Sequence, residues 1–204
     1  MRLHTRLSFI PNDFCYLRNL LYDRLSKEHF LRNEDEQMEL RHISSNDAEA
    51  FVQLIRDVEN DAQYMLYEPR ERTMLAEEQR ERINKMKHQQ STIIVAEESG
   101  NLIGYLIAIG GQAKRNRHSA YLIVGIKKEN RGKGVGTKLV QEVEDWASDN
   151  KIHRLELTVA TRNEAGLALY KKAGFEVEGL KRRSLQIDDE FVDEYYMSRL
   201  LLNQ

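Results

Sequence analysis

ENRGKGVGTKLVQEVEDWA (129–147) sets Gly132, Gly134 and Gly136 directly ahead of a helical repeat. In that repeat Leu139, Val140, Val143, Trp146 and Ala147 recur at the spacing of one helix face. Two phosphate motifs fail on spacing. A Walker loop requires Gly-Lys-Ser/Thr, whereas the order here is Gly136-Thr137-Lys138 without a correctly placed upstream glycine; a dinucleotide fingerprint requires glycine where Thr137 stands. What remains is the physics common to both: bare backbone N–H groups at a helix N-terminus, where unpaired donors and the helix dipole favour an anion. Arg131, Lys133 and Lys138 add positive charge around them. Taken alone, the stretch also reads as a plain glycine-rich turn joining a strand to a helix.

The flanking sequence supplies the context. AYLIVGI (120–126) predicts a strand entering the loop, RLELTVA (154–160) a strand after the helix, and NEAGLALYKKAG (163–174) a second helix ending at Gly174. Upstream, Met38–Ile43 predicts a strand, Ser44 or Ser45 a helix cap, and Phe51, Leu54, Ile55 and Val58 a helix. A very polar helix is expected over 73–88, then TIIVA (92–96) and LIGYLIAI (102–109) as a hairpin around Ser99-Gly100-Asn101. Two strands around Asp188-Asp189 close the chain. The order predicts an α/β fold: a mixed, mostly antiparallel sheet with a central parallel strand pair, flanked by helices. The glycine loop then follows the carboxyl end of a central strand, where parallel α/β units bind ligands, and this favours the anion reading.

Composition sets the limits. The 204 residues are 41% hydrophobic, enough for one well-filled core. A formal charge of −2 gives no electrostatic reason for a nucleic-acid or membrane partner. The lone Cys15 precludes an internal disulfide, and MRLHTRLSFIPNDF lacks the apolar core of a signal peptide, so a cytoplasmic protein is expected. The six histidines have no metal-ligand spacing, and no metal is expected. Leu17, Leu20, Leu21 and Leu25 form a helical stripe, so residues 1–37 are expected to be a helical extension and 38–204 the main domain.

Arg131-Gly132-Lys133-Gly134-Val135-Gly136 fits the Arg/Gln-x-x-Gly-x-Gly/Ala motif of the GCN5-related N-acetyltransferase (GNAT) family. Asn163, Ala165, Leu169-Tyr170 and Gly174-Phe175 resemble that family's second motif, one helix and one strand downstream as in the family. The resemblance spans roughly residues 38 to 202. It implies acetyl-CoA as acyl donor, with the backbone at Arg131, Gly132, Lys133, Gly134, Val135, Gly136 and Thr137 around the pyrophosphate. It also implies that the edge of Val124, Gly125 and Ile126 pairs with the pantetheine arm and that Asn163 takes part in cofactor binding. Gly125 within an apolar strand is read as a bulge, a close backbone approach or a simple kink.

At ~100° per residue Asn163, Gly166 and Tyr170 share one helix face, and a glycine in a helix interior costs roughly 0.5–1 kcal/mol, so either a ligand or a close helix–strand contact is expected against it. By resemblance Tyr170 is the catalytic acid that protonates the leaving thiolate. The amine acceptor, a small molecule, an amino acid or a protein N-terminus, attacks the thioester directly in a ternary complex. Some relatives carry a basic glutamate where this chain has Thr158; Glu156, Glu68 or a water chain are the alternatives, and Glu68 is also the candidate for binding substrate. A non-catalytic acyl-CoA sensor is the competing reading, and a homodimer is among the expected assemblies.

Overall fold

The computed structural model describes residues 38–86 and 89–201, so the helical extension expected over 1–37 lies outside the described residues. Strand β1 (Glu39–His42) leads through a 3-10 turn (Ser45–Asp47) into helix α1 (Ala48–Asp61). Ser44 and Asp47 form a reciprocal cap: the Asn46 N–H donates to Ser44 Oγ at 3.3 Å, and the Ser44 N–H donates to Asp47 Oδ2 at 2.7 Å. Phe51, Leu54, Ile55 and Val58 are all buried, as their spacing requires. Helix α2 spans Ala76–Met86, starting later than expected, and turns only Gln79, Ile83 and Met86 inward.

Strands β2 (Ser91–Glu98) and β3 (Asn101–Gly110) form the expected hairpin. Ser99 and Gly100 take φ of 50° and 76°, the mirror-image turn whose twist suits a two-residue connection. Then come β4 (Ser119–Ile126), α3 (Val135–Asp149), β5 (Arg154–Ala160), α4 (Glu164–Lys172), β6 (Glu176–Ile187) and β7 (Glu190–Leu200). The turn between β6 and β7 is Asp188-Asp189, again with φ positive at both, 49° and 62°.

The seven strands form one sheet in the order β1-β2-β3-β4-β5-β7-β6. Within it β4 and β5 run parallel and the other neighbours antiparallel. The alternation of apolar residues along the strands feeds two cores. On one face α3 lays Leu139, Val140, Val143 and Ala147 over Leu106, Leu122, Leu155 and Leu157. On the other, Phe51, Leu54 and Val58 of α1 and Ile83 of α2 cover Ile93, Val95, Tyr105 and Ile107. Burying each large aliphatic side chain is worth roughly 1.5–3 kcal/mol, so both helical layers hold the sheet from which the site opens. No helix among the described residues is long and apolar enough to cross a membrane.

Candidate active site

The parallel pair separates almost as soon as it forms. Ser119, Ala120 and Tyr121 lie opposite Arg154, Leu155 and Glu156, and the pairing stops there. Beyond it β4 stays with β3 to Ile126, while β5 stays with β7 to Ala160. The Lys127 N–H donates to Ile103 O at 3.0 Å, so by the alternation of an antiparallel ladder Ile123 and Gly125 also face β3. Leu122, Val124 and Ile126 therefore direct their N–H and C=O groups into the gap.

Tyr121 stands at the vertex of this gap. Its phenol oxygen accepts the Thr158 N–H at 3.3 Å and lies 2.9 Å from Thr158 Oγ1. The side chain thus takes over a donor of β5 that a paired β4 would have satisfied through its backbone. Gly125 proves to be a close approach, and the neighbour is internal: a Cβ there would stand 2.5 Å from the Tyr105 ring.

The glycine loop opens beside the end of β4. A 3-10 turn (Lys128–Asn130) precedes it, Gly132 and Gly134 take φ of 75° and 84°, and a Cβ on either would meet open space. Only glycine reaches this left-handed region without strain. Gly134 is the N-cap of α3 and offers no side-chain cap. Among the described residues nothing accepts the N–H groups of Gly132, Lys133, Gly134, Val135, Gly136 or Thr137. Free donors at the positive end of a fifteen-residue helix, with exposed Lys133 and Lys138 alongside, fit a pyrophosphate.

Two of the loop's residues have other reasons to be what they are. Gly136 is buried, and a Cβ there would meet Leu169 at 2.9 Å and Ile126 at 3.2 Å, so its missing side chain serves packing of α3. Arg131 is an anchor: Nε donates to Ile126 O at 3.0 Å and a terminal nitrogen to Asp61 O at 3.2 Å, tying the loop to the end of α1. Lys127 adds an ion pair with Asp57 at 3.1 Å.

Helix α4 begins one residue later than expected. Asn163 is the N-cap rather than a helix residue, so Gly166 lies in the first turn and not in a helix interior. The Gly166 N–H donates to Asn163 Oδ1 at 2.9 Å, and a Cβ on Gly166 would stand 2.8 Å from Asn163 Nδ2. The cap itself fills the gap that was expected to face a ligand or a strand. Further along the helix, Tyr170 packs against the α3 side of the sheet and against Phe175, ring centroids 5.8 Å apart. Burial, reinforced by the nearby Tyr121 phenol, pushes the Tyr170 hydroxyl well above the ordinary tyrosine range. It keeps its proton throughout the neutral range.

The candidate carboxylates are scattered. Glu156 accepts from Arg154 Nε at 2.8 Å and lines, with Tyr121, Glu178 and Tyr196, a cleft of about 370 Å³ on the face opposite α3. Glu68 is exposed in the loop between α1 and α2, its own N–H donating to Glu71 Oε2 at 2.8 Å. Glu194 is a further carboxylate that sequence reasoning missed. It lies on β7 opposite Ala160, on the same face as Thr158, is only 7% exposed, and bonds Lys181 Nζ at 3.0 Å. Burial pushes its carboxyl up, but Lys181 and the hydroxyls of Thr158 and Ser184 outweigh that and leave it below the usual range. The β5–β7 register that makes Glu194 a neighbour of Thr158 is a long-range pairing with no local signature.

Comparison with known proteins agrees with this geometry. Residues 49–175 match the family model described as the Acetyltransferase (GNAT) family. Over 109 residues, 52% of this chain and 67% of its relative, the sequence is 33% identical to L-amino acid N-acetyltransferase AaaT of Escherichia coli. A crystal structure of a GNAT-family acetyltransferase from Streptococcus pneumoniae superposes with a TM-score of 0.78 at 29% identity, covering 81% of this chain and 100% of that one. The fold is also that of a phosphinothricin acetyltransferase from Sinorhizobium meliloti in complex with acetyl-CoA, with a TM-score of 0.71 at 22% identity over 80% of this chain and 88% of that one. This chain belongs to the GNAT family of N-acetyltransferases, for which acetyl-CoA is the acyl donor.

Proposed function

We propose that this chain transfers the acetyl group of acetyl-CoA to a primary amine by direct attack within a ternary complex, and that residues 38–204 form the catalytic domain. The observation that carries this reading is the open seam between β4 and β5, with the unaccepted N–H groups of the glycine loop at its mouth. Acetyl-CoA, when bound, supplies a thioester carbonyl that an uncharged amine attacks. The backbone from Gly132 to Thr137 holds the pyrophosphate, with Arg131 keeping the loop in position through its two side-chain bonds to carbonyls. Val124 and Ile126 offer their gap-facing amides to the pantetheine arm as an added strand would. Asn163 keeps its amide nitrogen for the cofactor while its oxygen caps α4.

Tyr170 retains a proton at its phenol oxygen for the departing sulfur. Its raised pKa makes it a weak acid, but a thiol of pKa ~8.5 is a tolerable leaving group without help, so the demand on Tyr170 is modest. Glu68 belongs to the acceptor side, in the loop between α1 and α2.

A panel of primary amines, amino acids and peptides with free N-termini, assayed for thiol release from acetyl-CoA, tests the proposal. Amine-dependent release with a stoichiometric acetylated product is expected. Tight binding of coenzyme A with no release for any amine would favour the sensor instead.

A further inference from the structure

We infer that Tyr121, held by Thr158 and Glu194, is the group that grips the N–H of the acceptor amine at the vertex of the β4–β5 gap. The inference rests on the acetyl-transfer reading above and adds a residue set to the acceptor side.

The polarity of the hydrogen-bond chain follows from its buried end. Glu194 is ion-paired with Lys181 at 3.0 Å and so carries its charge at neutral pH, and a carboxylate only accepts. The Thr158 hydroxyl, on the same face of the β5–β7 pair and among the groups that hold this carboxyl down, turns its hydrogen toward Glu194. Its oxygen is then the acceptor in the 2.9 Å contact with Tyr121, which makes Tyr121 the donor there. The Thr158 N–H occupies a second site on the same phenol oxygen at 3.3 Å. One lone pair of that oxygen remains, and Tyr121 is 37% exposed on the cleft side. Tyr121 thus presents an acceptor to the cleft.

That polarity suits an amine about to attack. The nitrogen must aim its lone pair at a carbonyl carbon, so an N–H is the part left to hold, and an acceptor is what holds it. Tyr121 and Tyr170 approach the gap from opposite faces of the sheet: Ile123, two residues from Tyr121, packs with the α1 layer, whereas Tyr170 packs with the α3 layer. The two phenols are close enough for Tyr121 to raise the pKa of Tyr170. One face would then grip the nucleophile and the other serve the leaving group. Glu194 and Thr158 are positioning residues in this scheme, acting through Tyr121. They also account for the absence of a glutamate at position 158: the carboxylate is supplied from the neighbouring strand.

The test contrasts Thr158→Val, which keeps shape and deletes the hydroxyl, with Thr158→Ser, which keeps the hydroxyl and deletes a methyl. Steady-state kinetics would use the full chain and the best amine of the panel, with thermal unfolding as a check on folding. Loss of one hydrogen bond in the chain is expected to lower kcat/KM for the amine about tenfold in Thr158→Val and in Tyr121→Phe, with the KM for acetyl-CoA unchanged. Thr158→Ser should recover most of the loss, which a packing role for the methyl would not allow. An active wild-type protein whose Thr158→Val and Tyr121→Phe variants match it overturns the inference and leaves acetyl transfer standing. A wild-type protein inactive toward every amine overturns both.

Discussion

The ring of Tyr105 occupies the space in which any residue but glycine at position 125 would carry its β-carbon. Tyr105 is 2% exposed and meets Phe51 edge-on with centroids 5.4 Å apart, so the ring has little room to retreat. Gly125→Ala is expected to destabilise the fold by about 1–3 kcal/mol, measured as a lower urea midpoint. Adding Tyr105→Leu should recover part of that loss. An unchanged midpoint in the single variant would mean that ring and strand do not touch.

Asp47 joins the start of α1 to β1, accepting from the Ser44 N–H and from both terminal nitrogens of Arg41 at 2.7 and 2.9 Å. The Arg41 bond is the main reason its carboxyl lies below the ordinary range. A depressed folded-state pKa contributes stability that is fully present above the unfolded value of ~3.9 and is lost as pH falls through the folded one. Asp47→Asn should therefore cost about 1–2 kcal/mol at neutral pH, and the gap from wild type should narrow in acid. Urea unfolding of both proteins at several pH values checks the sign.

Much of the fold was legible because its signals are local. The repeat of Phe51, Leu54, Ile55 and Val58 marks a helix at any position in any fold, and the two-residue turns at Ser99-Gly100 and Asp188-Asp189 set their own hairpins. The glycine loop and Tyr170 were legible as a motif. The site's other half depends on where strands part and which residues then become neighbours. Tyr121 reads as one more aromatic in an apolar strand until β4 leaves β5, and Glu194 as a charge in a surface hairpin until β7 lies along β5. Gly166 misled for a local reason: its helix starts one residue later than its motif, with Asn163 as the cap.

Gly134→Glu places a carboxylate where the N–H groups of the α3 N-terminus are free, at a φ of 84° that also strains any side chain. Acetyl-CoA binding should fall below detection by calorimetry, from like-charge repulsion and blocked approach to the backbone. Because the added side chain points into open space, the melting temperature should fall by only a few degrees, in keeping with roughly 1–2 kcal/mol of left-handed strain. Near-normal affinity would remove the loop from the phosphate site.

Tyr170→Phe deletes one hydroxyl and keeps the ring contact with Phe175. A positioned acid is worth on the order of 10²–10⁴ in turnover, and the low end is expected because the thiol leaves readily. kcat and kcat/KM should fall together, as for an interaction made mainly in the transition state. Since burial raises the phenol's pKa, its ionisation should produce no alkaline loss of wild-type activity below pH ~10. An unchanged kcat, with the chemical step limiting, would return Tyr170 to a packing role.

The parting of β4 and β5 gives this sheet a second pair of edges, set in its middle rather than at its rim. A strand edge is ordinarily a liability, since it invites another chain to pair with it. Here the strands close the gap at Tyr121, with α3 and α4 packed on one face of the sheet, so a full second polypeptide strand does not suit the wedge. A slender ligand with its own amides does. The amides of Val124 and Ile126 should then exchange their hydrogens quickly in the free protein and slowly once coenzyme A is added, while those of Ile123 and Gly125, bonded to β3, stay protected in both.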